Sequence, residues 1–256
     1  MTPPEIDLTQ PDAVRRELLD DDRAVKDEFA RHLDGELNEL AEVLAACFRL
    51  LPAINGAANR LQTQRSALVA GFAFGVLDDL VISTKLMLSG KAPAAGNVMR
   101  QAVEGIAMSM LCSTDELLVV EMKKKQTPVR ARYWEKVWSG DSRTQGHLAV
   151  TQLDWNAATL KLNGDGVARL RHARKHYNTF SHCGTLTIAS RVALDVPGMV
   201  YVGGHFDPAK LDAYRVEMNE RIGLCRVLPP FMDRLLATMP RPAGRPLAAA
   251  QPAEPA

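Results

Sequence analysis

No two cysteines stand close enough in the sequence to form a redox or metal-binding pair: Cys47, Cys112, Cys183 and Cys225 are dispersed, and no CxxC occurs. That spacing predicts reduced thiols rather than a disulfide framework. Also absent is the charged start and apolar stretch of a secretory leader; the first residues are acidic and polar, and the expected location is the cytoplasm. The most apolar run, residues 67–77, stops at Asp78 and Asp79 after 11 residues. That is short of the ~20 needed to cross a bilayer, so no membrane partner is expected. No HExxH pattern and no internal repeat is found, and a net charge of +1 gives no global reason to bind nucleic acid.

The charge that is present is unevenly placed. Residues 1–42 hold 13 acidic side chains against 5 Lys or Arg, a net of −8, whereas residues 121–182 hold 12 Lys or Arg against 5 acidic, a net of +7. A basic middle and an acidic start suit two solvated helix faces of opposite sign, self-complementation, or an anion-binding surface screened by its own N-terminus. The acidic N-terminal helices are the expected contact for a partner protein.

With 256 residues and an apolar fraction of 46%, the chain is long enough to bury a sizeable core. Its apolar periodicity is helical almost throughout. Asp12 is read as the cap of a helix through Val14, Leu18, Leu19, Val25 and Phe29, with a break at Gly35. A second helix takes Leu37, Leu40, Val43, Leu44, Phe48 and Leu51 and ends at residues 52–56. Residues 58–88 are apolar round most of a helix, as in the centre of a bundle. A turn at 89–96 leads into a helix over 94–112. Residues 115–124 predict a short helix ending in three lysines, and the PVRARYWEKVW stretch from Pro128 predicts a packed helix face, Tyr133 and Val137 and likewise Trp134 and Trp138 recurring at i,i+4. Aromatics interleaved with Arg and Lys could instead stack on bases. A helix over 147–162 with Trp155 as an anchor and a turn at 163–166 follow. Residues 185–203, richer in Thr, Ile and Val around Pro197-Gly198, predict a small β-hairpin. A helix over 208–238 is expected to kink or break at Pro229-Pro230. The fold class is mainly α, a helical bundle with a small β-hairpin excursion near 185–203. Its organisation is 1–56 acidic helices, 57–239 bundle and 240–256 a disordered Pro/Ala-rich tail.

Chemistry concentrates in residues 166–184, GVARLRHARKHYNTFSHCG, which carry three of the six histidines. On one helix over 167–183, Arg171, Lys175, Asn178 and His182 share a cationic sector; His172, His176, Thr179 and Cys183 share the next; Leu170, Ala173, Tyr177 and Phe180 form an apolar back. Gly184 is placed to end that helix as a left-handed cap. His172 and His176 at i,i+4 could share one metal ion, which is an alternative reading; Cys183, about 16 Å farther along the axis, could not join them. In the main reading no metal or other cofactor is used: His182 is the general acid or base, Asn178 a hydrogen-bond donor, and Lys175 or Arg174 the stabiliser of negative charge. A second polar line, Asn97, Arg100, Gln101 and Glu104, runs along the helix over 94–112, and Arg100 and Glu104 are expected to organise a pocket with His182.

A helix bearing Arg-x-x-x-Glu (Arg100, Glu104), followed by one ending Tyr-Asn-x-x-Ser-His-x-Gly (Tyr177, Asn178, Ser181, His182, Gly184), resembles bacterial helical families related to HEPN proteins. The resemblance spans residues 58–236. It implies a helical bundle, commonly a homodimer, of the kind that includes metal-independent ribonucleases of toxin–antitoxin and phage-defence systems, with RNA as partner. The HEPN signature is Arg, four to six residues, then His, with a polar residue after the Arg. Arg171-His172-x-x-x-His176 meets this spacing, whereas Arg174 to His182 is too long. On one regular helix Arg171 and His176 would point about 140° apart. The leading expectation is therefore an RNA-cleaving or RNA-binding protein. A non-enzymatic helical interaction protein, with Arg171, Lys175, His176 and the rest serving structure, is the alternative from another class.

Overall fold

The computed structural model describes residues 7–181, 183–194, 196 and 198–239. The fold is mainly α-helical with one small two-stranded antiparallel sheet among the described residues. In chain order it comprises α1 (Pro11–Leu19), α2 (Arg23–His32), α3 (Asp34–Phe48), α4 (Leu51–Leu61), α5 (Gln64–Leu88), α6 (Ala92–Cys112), β1 (Leu117–Glu121), β2 (Val129–Arg132), α7 (Tyr133–Trp138), α8 (Gly146–Trp155), α9 (Gly164–Asn178), α10 (Thr185–Ala189) and α11 (Leu211–Ala237).

The α5–α6 hairpin is the centre, its two helices sharing the most extensive contact in the molecule. Its core side chains include Val69, Ala73, Val76, Leu77, Leu80 and Met87 from α5, with Met99, Ala102, Val103, Ile106 and Leu111 from α6. Small residues set the spacing: a Cβ at Gly105 would come within 2.9 Å of Val76 Cγ2. On one side α4 packs on α5, and α3 packs on α11; on the other, α8 and α9 pack on α6. Phe29, Leu33, Leu40, Cys47, Leu51 and Ile54 belong to the same continuous core as α5, α6 and α11. By length and composition Asp34–Leu61 and Gln64–Leu88 would each reach across a bilayer, a criterion that the central helix of a bundle also meets.

Several expected boundaries move for identifiable reasons. The first helix divides at residues 20–22, where Asp22 takes a left-handed φ of 56°. The N-terminal cap position of α1 is Gln10, with Asp12 in the first turn. Gly35 lies inside α3, the break falling at Leu33. Pro52 and Pro93, read as turn residues, instead occupy the first turns of α4 and α6, where a missing N–H costs nothing. The long run over 58–88 is interrupted at left-handed Gln62, and Thr63 starts α5 with a reciprocal capping box to Ser66.

The sheet is built by β1 and β2, so residues 115–124 and the start of the basic-aromatic stretch form a hairpin rather than helices. Val119 and Val120 are β-branched and buried, and the buried Asn156 side chain clamps the strand, accepting from the Val119 N–H at 2.8 Å and donating to its carbonyl at 2.9 Å. In the segment near 185–203 the described residues form α10 and a single antiparallel bridge, Val192 to Val200. Trp155, expected as an anchor, is 36% exposed at the end of α8; Asn156 takes the buried place. α11 runs through Pro229-Pro230 unbroken. Pro229 withdraws the donor due to the Cys225 carbonyl, and the Cys47 thiol supplies a substitute at 3.5 Å. The proposed tail at 240–256 lies outside the described residues.

Candidate functional site at the α6, α8 and α9 junction

Helical spacing puts Asn97, Arg100 and Glu104 on one side of α6, the side over which α8 and α9 pack. Arg100 Nε lies 3.5 Å from Glu104 Oε1, an ion pair outside hydrogen-bonding geometry. The Glu104 carboxylate rests against the first residue of α8: a Cβ on Gly146 would come within 2.9 Å of Glu104 Oε2. Glycine at 146 thus provides the space for the acid, beside the positive end of a ten-residue helix. His147, exposed, is the next residue of α8. Arg174 of α9, partly buried, donates from Nη1 to Thr151 Oγ1 of α8 at 2.5 Å.

Burial pushes the Glu104 carboxyl above its ordinary value, and the charges of Arg100, His147 and Arg174 pull against that rise. The three cationic side chains thus all lie near enough to Glu104 for their charge to act on it. Three buried polar atoms in and beside this cluster have no hydrogen-bond partner among the described residues: Asn97 Oδ1, Arg100 Nε and Ser181 Oγ. Ser181 follows Phe180, whose ring packs directly on Gly96, so the end of the α9 segment adjoins the turn of α6 that carries Asn97. An acid with raised affinity for its proton, a histidine and two guanidinium groups can bind an anion and move a proton beside it.

The expected site residues divide among several places. Arg171 is exposed and pairs with Asp154 of α8 at 3.2 Å; Lys175 and Asn178 are exposed on α9. His176 turns the other way, its Nε2 lying 2.6 Å from Glu217 Oε1 of α11. Arg171 and His176 thus face different helices, and the Arg-x4-His spacing does not gather its two ends at one point. Tyr177 is buried, its hydroxyl without a hydrogen-bond partner among the described residues. His172 is exposed, and among the described residues no group of three His, Cys, Asp or Glu is placed to hold a metal ion. α9 ends at Asn178, before Cys183, and Gly184 is extended at φ −142°, ψ −172° rather than a left-handed cap. Arg100 and Glu104 come together as expected; His182, the third member of the expected pocket, lies outside the described residues.

Two groups escaped the sequence reading. His147 stands alone after a loop, and no local pattern marks it. The second is a buried network in which Arg221, 1% exposed, donates to Glu217 Oε2 at 3.0 Å and to Ser83 Oγ at 2.9 Å, while His176 holds the other carboxylate oxygen. Its signal was legible: Glu217 and Arg221 form an i,i+4 pair amid buried Met218, Ile222 and Cys225. Burial pushes Glu217 up, but the His176 hydrogen bond and the Arg221 charge together outweigh it and hold the carboxyl below its ordinary value. The Glu217 hydrogen bond in turn raises His176 against the effect of burial. Arg221 Nε alone in it has no hydrogen-bond partner among the described residues; through its other bonds the network joins α9, α11 and α5. Compared with known protein families, characterised proteins and solved structures, the chain matches none.

Proposed function

We propose that this protein is an RNA-directed, HEPN-like helical protein that engages the phosphodiester backbone at the Arg100, Glu104, His147 and Arg174 cluster and cleaves it without a metal cofactor. The observation that carries this reading is the convergence of two guanidinium groups and a histidine on a carboxyl that burial inclines to keep its proton. In the proposed reaction Arg100 and Arg174 hold the phosphate and stabilise the charge that develops on it. His147 accepts the 2′-hydroxyl proton as that oxygen attacks phosphorus, and protonated Glu104 delivers a proton to the departing 5′-oxygen. The products are a 2′,3′-cyclic phosphate and a free 5′-hydroxyl. Lys175 and Asn178, exposed on α9, offer the flanking strand a charge and a hydrogen-bond donor, beside Arg171 in its pair with Asp154.

The test is incubation of the purified protein with single-stranded RNA in excess EDTA, the ends being identified by mass spectrometry. Cleavage leaving 2′,3′-cyclic phosphates is expected. Glu104→Gln and His147→Ala should each slow it by about 100-fold or more. Intact RNA, or cleavage unchanged in both variants, would refute catalysis at this cluster.

A further inference from the structure

The corner between α4 and α5 forms an open groove of about 760 Å³ that is closed along one side by Trp138 of α7. Its polar lining consists of four carboxamides, Asn55 and Asn59 from α4, Gln62 at the corner and Gln64 at the start of α5, and the Thr63 hydroxyl, which is engaged with Ser66; Ala58, Ala67 and Ala70 supply the apolar part. All four amides are exposed, and none hydrogen-bonds to another described residue. Gln62 holds its place in a left-handed conformation, φ 49°, that a non-glycine residue adopts at a cost. Trp138 is 54% exposed, although an indole of this size is ordinarily covered. No charged side chain lines the groove.

Those features specify a ligand. An indole face offers a stacking platform, carboxamides offer a donor and an acceptor side by side, and the lack of charge means that the moiety inside is neutral. A nucleobase is flat, neutral and edged with donors and acceptors, and adenine presents the N6 and N7 pair that Asn or Gln meets with two hydrogen bonds. The chain around the groove is suited to the phosphates outside it. β2 runs directly into α7, and six residues of helix with two of strand limit Arg130 to at most about 20 Å from Trp138. Beyond Arg130 the hairpin loop carries Lys124 and Lys125, exposed and without ion-pair partners among the described residues.

We propose that the Trp138 groove binds one unpaired adenine base of a single-stranded RNA whose backbone lies along the β1–β2 hairpin. This rests on the reading of the protein as RNA-directed and adds a base-binding site that shares no residue with the Glu104 cluster. The experiment is fluorine NMR of the full chain labelled with 5-fluorotryptophan. Its three tryptophans, Trp134, Trp138 and Trp155, give three resonances, and Trp138→Phe assigns the one of interest. Adenosine and oligo(A) RNA should shift the Trp138 resonance saturably and leave that of Trp155 in place. Oligo(A) affinity should fall about tenfold or more in Trp138→Ala and several-fold in an Asn59→Ala, Gln62→Ala double variant, with unchanged thermal unfolding. A Trp138 resonance unmoved by both probes overturns the proposal, as does one that moves with a neutral oligosaccharide such as cellotriose and not with adenosine. The two readings separate cleanly: if adenosine moves Trp138 while RNA in EDTA stays intact, the groove stands and the nuclease assignment falls.

Discussion

Glu104 depends on its neighbour having no side chain. Because a Cβ at residue 146 would come within 2.9 Å of Glu104 Oε2, Gly146→Ala must shift the acid. The displaced atom is the free end of a flexible side chain, so the fold should tolerate the change. The expected outcome is a thermal midpoint within about 2 °C of the parent, corresponding to a small surface-type effect, with RNA cleavage reduced about tenfold or more through misplacement of the acid. Parallel melting curves and cleavage rates check it. At the His176 and Glu217 pair the linkage has a definite sign. His176, raised in the folded state, contributes stability fully below about pH 6.5 and loses it as pH rises through its folded value. Glu217, lowered, contributes above about pH 4.5 and loses it as pH falls through its folded value. Glu220 and Arg221 also act on His176, with opposite signs. The pair therefore stabilises most between about pH 4.5 and 6.5. His176→Gln should remove the decline in stability above pH 6.5, measured by urea unfolding across pH. Glu217→Ala, which leaves Arg221 buried and uncompensated, should cost about 3–5 kcal/mol at pH 6 in the same measurement.

Among the elements, the β1–β2 hairpin is held less by its own short ladder than by two side chains at the end of α8. Asn156, fully buried, pairs with both backbone groups of Val119, and Gln152 donates to the Val120 carbonyl at 2.8 Å. Asn156→Ala would strand two buried peptide groups, at about 1–3 kcal/mol each, and should free the hairpin before the bundle unfolds. Hydrogen exchange at Val119 should accelerate with protection in α5 and α6 retained; equal loss of protection in all three would contradict this local anchoring. This hairpin also marks the limit of the sequence reading. The bundle was legible because the apolar residues of α3, α5, α6 and α11 recur at helical spacing, and Arg100 with Glu104 was legible as a polar line on an apolar helix. The strand Leu117–Glu121 was not, because its partner lies beyond a lysine loop and its clamp, Asn156, lies 37 residues on. Neither His147 beside Glu104 nor Glu217 on His176 follows from spacing, since each contact is made between helices. The apparent Arg171 to His182 site took all its members from one helix, whereas among its described members Arg171 pairs with α8, His176 with α11, and Lys175 and Asn178 face solvent.

At the scale of the whole molecule, the α5–α6 hairpin serves as a wall with a different arrangement on each side. One side is closed by α3, α4 and α11 and is locked through Ser83, Arg221 and Glu217; the other presents Arg100 and Glu104 to α8 and α9. Formal charge follows the same division, with the acidic residues of 1–42 preceding the wall and the basic ones of 121–182 building its open side. A near-neutral chain can therefore carry a local excess of positive charge, and the RNA binding proposed for it should depend on salt far more than its net charge suggests. The measurement that tests the central claim most directly is the affinity for a single-stranded RNA as a function of salt. It should be made for the parent and for an Arg100→Gln, Arg174→Gln double variant of matching thermal stability. If both guanidinium groups hold phosphates, the slope of log affinity against log salt should fall by about 1.4 in magnitude in the variant, about 0.7 for each lost contact to a single strand, with weaker binding at every concentration. An unchanged slope and affinity would place the RNA elsewhere and contradict the assignment.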